Sequence, residues 1–423
     1  MNAEAQLKIR GLIQLALGYV VEPQPLSVPA VPETLDGLIE QLQNGLNLNG
    51  SEPVVAPVLA RESQEEVWDG ESFGNRLAGL GKLVANDVTK VSLACKPPAE
   101  SKTVIGMVEA LGETCFRLAG FVDSIPVKVA GQTYKREVQI LSNNIFEAVA
   151  GLLNAFLEQP DERVLQLQNK NAALKGVSQG LSRNNQGASS ESGSGANKDF
   201  YLIKTGIVWE ACEIFEKASR SNREAVAKKW GDMMSTMEDA IAEVKEMIDS
   251  NDEKDELKGD DDDEDDSGNE SDDSWNDDEK MTEEEKQLSI QANSHLKLTR
   301  LLLKKLQQRC LDTQQVAKIV IPSANSQRSD VTLQPSDLAR MWDQLYEAAQ
   351  GIVALADEIA TSLYSPQDQA VLMTLLRQLS RKNHDCILVG RLFVKGQADQ
   401  EQWMDMCEAQ SKKILDAIVL LQS

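Results

Sequence analysis

Two histidines, six cysteines and three serines set among acids are the side chains whose chemistry could reach beyond packing in these 423 residues. His295 and His384 are the only imidazoles, and metal ligation or proton transfer would need a second group at a defined spacing. The chain has no H-E-x-x-H, no C-x-x-C and no second histidine three or four residues from either one. A serine or cysteine nucleophile needs a positioned base, and no other imidazole is on offer. Nor is there a G-x-x-x-x-G-K-[ST] loop or a G-x-G-x-x-G to cradle phosphate. Both histidines read as partly buried, hydrogen-bonded structural residues. The expectation is a protein that is not an enzyme and uses no cofactor or metal. Cys95, Cys115, Cys212, Cys310, Cys386 and Cys407 are scattered and fall mostly on apolar helix faces, as reduced core residues of a cytosolic or nuclear protein would.

The serines belong to the loudest stretch of the chain. Residues 249–285 hold 21 Asp or Glu against three Lys, which is −18 of the formal −24. The centre is Asp260, Asp261, Asp262, Asp263, Glu264, Asp265 and Asp266. Charge this dense cannot bury enough apolar surface to offset its ordering entropy, so 249–281 is expected to be a disordered acidic linker. Ser267 and Ser274 have a carboxylate three residues on, the context acidophilic kinases prefer, and Ser271 gains one once Ser274 is phosphorylated. A solvated spacer and a docking surface for a basic partner, such as a histone tail, remain open beside phosphorylation. The tract lacks the loop glycine and terminal glutamate of an EF-hand. Overall acidity argues against direct binding of nucleic acid or an anionic membrane. No apolar run reaches the roughly 18 to 20 residues of a membrane span. Lys8 and Arg10 before Leu12 to Val21 only superficially suggest a signal peptide, since Gln14 interrupts the run and no cleavage site follows.

The elements around these residues repeat at three and four. Residues 1–63 are a helical region punctuated by prolines. Leu77, Leu80, Val84, Val88 and Val91 share one helix face, Val104, Leu111, Cys115 and Leu118 the next, and Val138, Leu141, Ile145 and Leu152 a third. With the helix that carries Val226, Trp230, Met237 and Val244, they make a bundle over 64–248, interrupted by a Ser/Gly/Asn-rich loop at 182–198. Beyond the tract, 282–423 forms a C-terminal bundle. Thr282 and Glu285 have capping-box spacing, as do Ser221 and Glu224. Leu338 to Leu363 reads as one continuous helix, in which Trp342→Ala would cost roughly 3 to 5 kcal/mol if the ring is buried. Ser365 is the expected N-cap of the helix after it, with Pro366 at the first position. The fold class is all-α, two antiparallel helical bundles separated by the acidic linker.

One block is recognisable. Gly206-Ile207-Val208-Trp209-Glu210-Ala211-Cys212, with the charged helix to Ile248, the acidic run and the C-terminal helices, resembles the cyclin-D-binding (Grap and cyclin-D interacting, GCIP) family. Val208, Trp209, Ala211 and Cys212 carry the most specific part of the likeness. The resemblance implies a two-domain helical protein of vinculin and α-catenin type in nucleus and cytoplasm. It also implies binding of D-type cyclins and helix-loop-helix transcription factors, and hence negative regulation of the cell cycle and transcription. A vinculin-like cytoskeletal scaffold and an acidic histone chaperone stay open as alternatives. Arg163-Val164-Leu165 additionally has the form of a cyclin-docking Arg-x-Leu peptide.

Overall fold

The computed structural model describes residues 1–22, 31–32, 34, 37–38, 68–167, 169, 200–256, 281–312, 320–321, 331–332 and 335–421. Among them the regular structure is helical apart from one antiparallel pairing, in which Val320–Ile321 (β1) meets Val331–Thr332 (β2). The chain is all-α, as expected, and divides into two compact units. Met1–Pro25 and Arg61–Ala225 form the first; Leu26–Ala60 and Val226–Ser423 form the second.

The first unit contains α1 (Ala3–Tyr19), α2 (Gly70–Ala94), α3 (Ser101–Asp123), the single turn α4 (Val127–Ala130), α5 (Gln132–Asn154) and α6 (Phe200–Glu216). The long helices close a ring in the order α1, α3, α2, α6, α5 and back to α1. The sequence reading leaves residues 3–21 outside the bundle, but α1 is a full member of it. Ile9 and Ile13 are completely buried in the same core as Val104, Leu111 and Ile145. Polar clamps fix its ends: Asn143 both donates to Val21 O (2.7 Å) and accepts from Val21 N (3.2 Å), and Gln6 pairs with the backbone of Phe156 and Glu158. Asp69 caps α2 by accepting from Glu71 N and Ser72 N. Gly131, between α4 and α5, has φ +90°, where a side chain is strained, and a Cβ there would lie 2.0 Å from Asn222. The space is taken because Asn222 Oδ1 accepts from Tyr134 N at 2.9 Å.

The second unit contains most of α7 (Asn222–Glu256), α8 (Glu283–Leu306) with a π-turn at Gln307–Leu311, α9 (Pro335–Ala349), α10 (Ile352–Ser362), α11 (Gln369–Val394) and α12 (Ala398–Leu421). Helix α11 packs against α8, α9, α10 and α12, and so carries the core. Four expectations change here. Residues 226–248 were expected in the first bundle, yet Val226, Trp230, Met237 and Val244 pack with Leu296, Leu303 and Ile359 in the second. The run from Leu338 to Leu363 is two helices, because Gly351 takes a left-handed conformation (φ +90°) at the start of α10. Trp342 is only half-buried, its indole donating to Cys310 O at 3.1 Å; among the described residues the fully buried tryptophan is Trp230. Finally, Asp368 caps α11 through Ala370 N and Val371 N, where Ser365 was expected. Ser365 instead hydrogen-bonds the Glu285 carboxylate at 3.3 Å.

The position of the acidic tract also differs. Helix α7 continues to Glu256, and Asn251 Oδ1 accepts from the buried Met281 N at 3.1 Å. Both flanks therefore belong to one unit, and the tract lies between consecutive helices α7 and α8, not between the units. Its residues 257–280 and the Ser/Gly/Asn-rich loop at 182–198 lie outside the described residues.

The expected box at the start of α8 is present: Thr282 Oγ1 accepts from Glu285 N (3.2 Å) while Glu285 accepts from Thr282 N (2.8 Å). Glu285 reaches further, accepting from Gln367 N at 2.9 Å, and so ties the start of α8 to the approach to α11. Burial pushes its carboxyl pKa up, but the hydrogen bonds from Gln367, Thr282 and Ser365 outweigh this and hold it below the usual 4.5. A carboxyl depressed in the folded state contributes stability present above its unfolded pKa, lost as pH falls through the folded one. Glu285→Gln is expected to cost about 1 kcal/mol at pH 7, with a smaller difference from the parent at pH 3. Urea denaturation at the two pH values checks it.

Candidate interaction surfaces

Helix α6 carries the Val208 to Cys212 block, and its apolar residues occupy all sides. Val208 and Cys212, four apart, are buried against the core with Phe215. Ala211 packs beside them, and the Trp209 indole turns out to donate to Thr89 Oγ1 at 3.2 Å. Thr205 adds a buried hydroxyl contact to Ser92 at 2.7 Å, which sets the register of α6 on α2. The outer side is apolar as well. Ile203 (63% exposed), Ile207 (43%) and Ile214 (46%) step by four and seven along one stripe. Leu202 and Trp209, seven apart, form a second stripe, and Gly206, Glu210 and Glu213 lie between the two. A helix that spends Val208 and Cys212 on its own core and still presents five large apolar side chains to water offers a face for a partner helix.

The sequence reading names the motif but not this face. Its signal is apolar residues beyond those the core takes: Leu202, Ile203, Ile207 and Ile214 lie off the Val208/Cys212 side. A smaller apolar groove of about 330 Å³ lies between α1 and α3, with Leu7, Leu15 and Phe116 on its rim and Gly11 and Gly112 among its lining residues.

Arg163-Val164-Leu165 does not form a free extended peptide. Residues 162–167 are helical, Val164 is buried in the core and Arg163 pairs with Asp161 at 2.9 Å. His295 is completely buried on α8, its Nε2 3.1 Å from Ser411 Oγ, and burial lowers its pKa to about 4. It is neutral at physiological pH and closed to solvent. His384 Nδ1 is 2.8 Å from Glu408, which also accepts from Arg391. All six cysteines are free and buried. Burial pushes Cys95 and Cys407 up to about 11, Cys115 and Cys212 up to about 12, and Cys310 and Cys386 higher, so thiolate chemistry is suppressed. Among the described residues no group of three or more His, Cys, Asp or Glu could hold a metal, and no helix is long and apolar enough to cross a membrane. The acidic residues 260–266 and Ser267, Ser271 and Ser274 lie outside the described residues.

The geometry is that of an interaction protein, and the comparisons with known proteins agree. The chain is 25% identical over 348 residues to the Cyclin-D1-binding protein 1 homolog of Danio rerio, covering 77% of this chain and 85% of that one. Residues 76–250 match the family described as Grap2 and cyclin-D-interacting, N-terminal, and residues 259–386 match its C-terminal counterpart. The boundary between those two matches falls at the acidic tract, whereas the compact units part at Ala225. With the two matches side by side over most of its length and in the family's order, the chain belongs to the Grap2 and cyclin-D-interacting family.

Proposed function

We propose that this protein is a non-enzymatic binder of a D-type cyclin and of helix-loop-helix factors, which it sequesters through the outer face of α6, restraining cell-cycle and transcriptional regulators. The observation that carries this is the double-sided apolar character of α6: Val208 and Cys212 face inward, while Ile203, Ile207 and Ile214 face water. A partner helix laid along the isoleucine stripe buries it at i, i+4 and i+11 spacing. Family membership and the name of the Danio rerio relative support the cyclin as partner. Residence in nucleus and cytoplasm and phosphorylation at Ser267, Ser271 and Ser274 belong to the same proposal. Among the described residues no comparable face supports the scaffold reading, and the acidic tract behind the histone-chaperone reading lies outside them.

A pull-down of the full chain with a D-type cyclin and with a helix-loop-helix domain tests it. Ile207→Glu, which places a charge on the exposed stripe without touching the core, should reduce capture at least about tenfold, or about 1.4 kcal/mol. The thermal midpoint of the variant should stay near that of the parent. Capture of neither partner by folded protein removes the proposal.

A further inference from the structure

The second unit carries a groove of about 570 Å³ between α11 and α12. One end is cationic. Arg377 and Arg381, one turn apart on α11, and Lys412 on α12 all line it, and none of them forms an ion pair among the described residues. In a chain of net charge −24 three such cations at one groove end are conspicuous. At the other end Asp405 and Glu408 share the Arg391 guanidinium, at 2.6 and 3.1 Å, and Glu408 also meets His384. Asp385, which Lys382, His384 and Arg381 attract, does not line the groove. The groove thus has its three cations at one end, while its two lining carboxylates lie at the other, engaged by Arg391.

A second observation concerns its wall. Asn383 lines the groove and is only 2% exposed. Its Nδ2 donates to Thr299 Oγ1 at 2.8 Å, and the Thr299 hydroxyl is itself committed to His295 O. The amide orientation is set by those bonds, and Oδ1 is left buried without a partner among the described residues. A buried acceptor left unpaired is costly. A fully ionised small anion has no proton to give it, whereas a polypeptide supplies a backbone N–H together with side-chain charge. Ile387 and Leu415 add apolar wall for the backbone to lie on.

We infer that the α11/α12 groove is a docking site for an acidic, carboxylate-bearing segment of a partner protein, held by Arg377, Arg381 and Lys412 with Asn383 Oδ1 accepting a backbone N–H. This site is distinct from the α6 face, and its partner need not be the one bound there.

The test is fluorescence anisotropy of the full chain with a labelled peptide of alternating Asp and Leu, against the same peptide with Asn for Asp. The Asp peptide should bind saturably and weaken with salt, and the Asn peptide should bind at least tenfold more weakly. Arg377→Gln with Arg381→Gln should reduce affinity at least tenfold, since both side chains are exposed and the fold does not depend on them. Lys245→Gln, an exposed cation elsewhere in the unit, should change nothing. Absence of binding, or equal loss with Lys245→Gln, overturns the inference. Displacement by inorganic phosphate as effective as by unlabelled peptide, or binding of phosphatidylserine vesicles in place of peptide, also overturns it, by showing a simple anion or membrane site. Binding that emerges only when Asp260–Asp266 are replaced by Asn and Gln overturns it too, because the occupant is then this chain's own tract.

Discussion

Trp230→Ala is expected to cost about 3 to 5 kcal/mol, the largest loss from any single aromatic truncation in the second unit. Trp230 is completely buried on α7, in the same core as Leu296, Leu303 and Ile359. Its removal leaves a cavity that long, packed helices can close only in part. It also takes away the donor at 3.1 Å from Leu303 O, a carbonyl that then has no indole to meet it. Trp230→Phe separates the two contributions, keeping most of the volume while losing the hydrogen bond, and should cost about 1 to 2 kcal/mol. Trp342→Ala should lose less than Trp230→Ala, because Trp342 is only partly buried. Guanidinium denaturation of the three variants, monitored by far-UV circular dichroism, gives the ranking. Equal losses at the two tryptophans would show that α7 does not pack into the second core as described.

Acid should destabilise the second unit as the pH falls from 6.5 toward 4, because of His295. The imidazole lies among α8, α11 and α12 with Ser411 at 3.1 Å and Ser380 beyond it, and protonation would place a cation where no anion answers it. Burial lowers its pKa from 6.5 to about 4. A depressed folded pKa means that the unfolded chain takes up the proton first. The stabilising difference is therefore fully present above pH 6.5 and is lost as pH falls toward 4. A shift of this size corresponds to about 3 kcal/mol in all, lost at up to one proton's slope per pH unit. His295→Gln keeps a hydrogen-bonding group toward Ser411 but cannot titrate. Its stability at pH 7.5 should be lower than the parent's, yet nearly flat down to pH 5. A parent whose urea midpoint does not move between pH 7 and 5 would contradict the burial of His295.

How much of this was legible in the sequence depended on whether local spacing decides the outcome. The stripes of α2, α3 and α5, and the Thr282/Glu285 box, are set within a few turns of chain, and the structure has them where periodicity places them. Partnership between helices is decided at long range. The spacing of Val226, Trp230 and Met237 shows a helix face but not which core it enters, and that face enters the second unit. Gly351 lies inside an unbroken three-and-four pattern, so the same apolar face continues across a break that only its positive φ reveals. The Arg163-Val164-Leu165 peptide has the right letters, but Val164 is needed in the core. The motif at Val208 to Cys212 was legible as a family mark. Its inner half is explained by packing, and the outer isoleucines became visible only once α2 and α5 were seen to cover the opposite side.

That outer face carries the central claim, and a calorimetric titration of the full chain with a purified D-type cyclin tests it most directly. Parent protein should bind saturably, and the double variant Ile203→Glu, Ile207→Glu, with an unchanged thermal midpoint, should bind at least tenfold more weakly. Cyclin binding of undiminished affinity by the folded double variant, or no heat of binding from the parent, would contradict it.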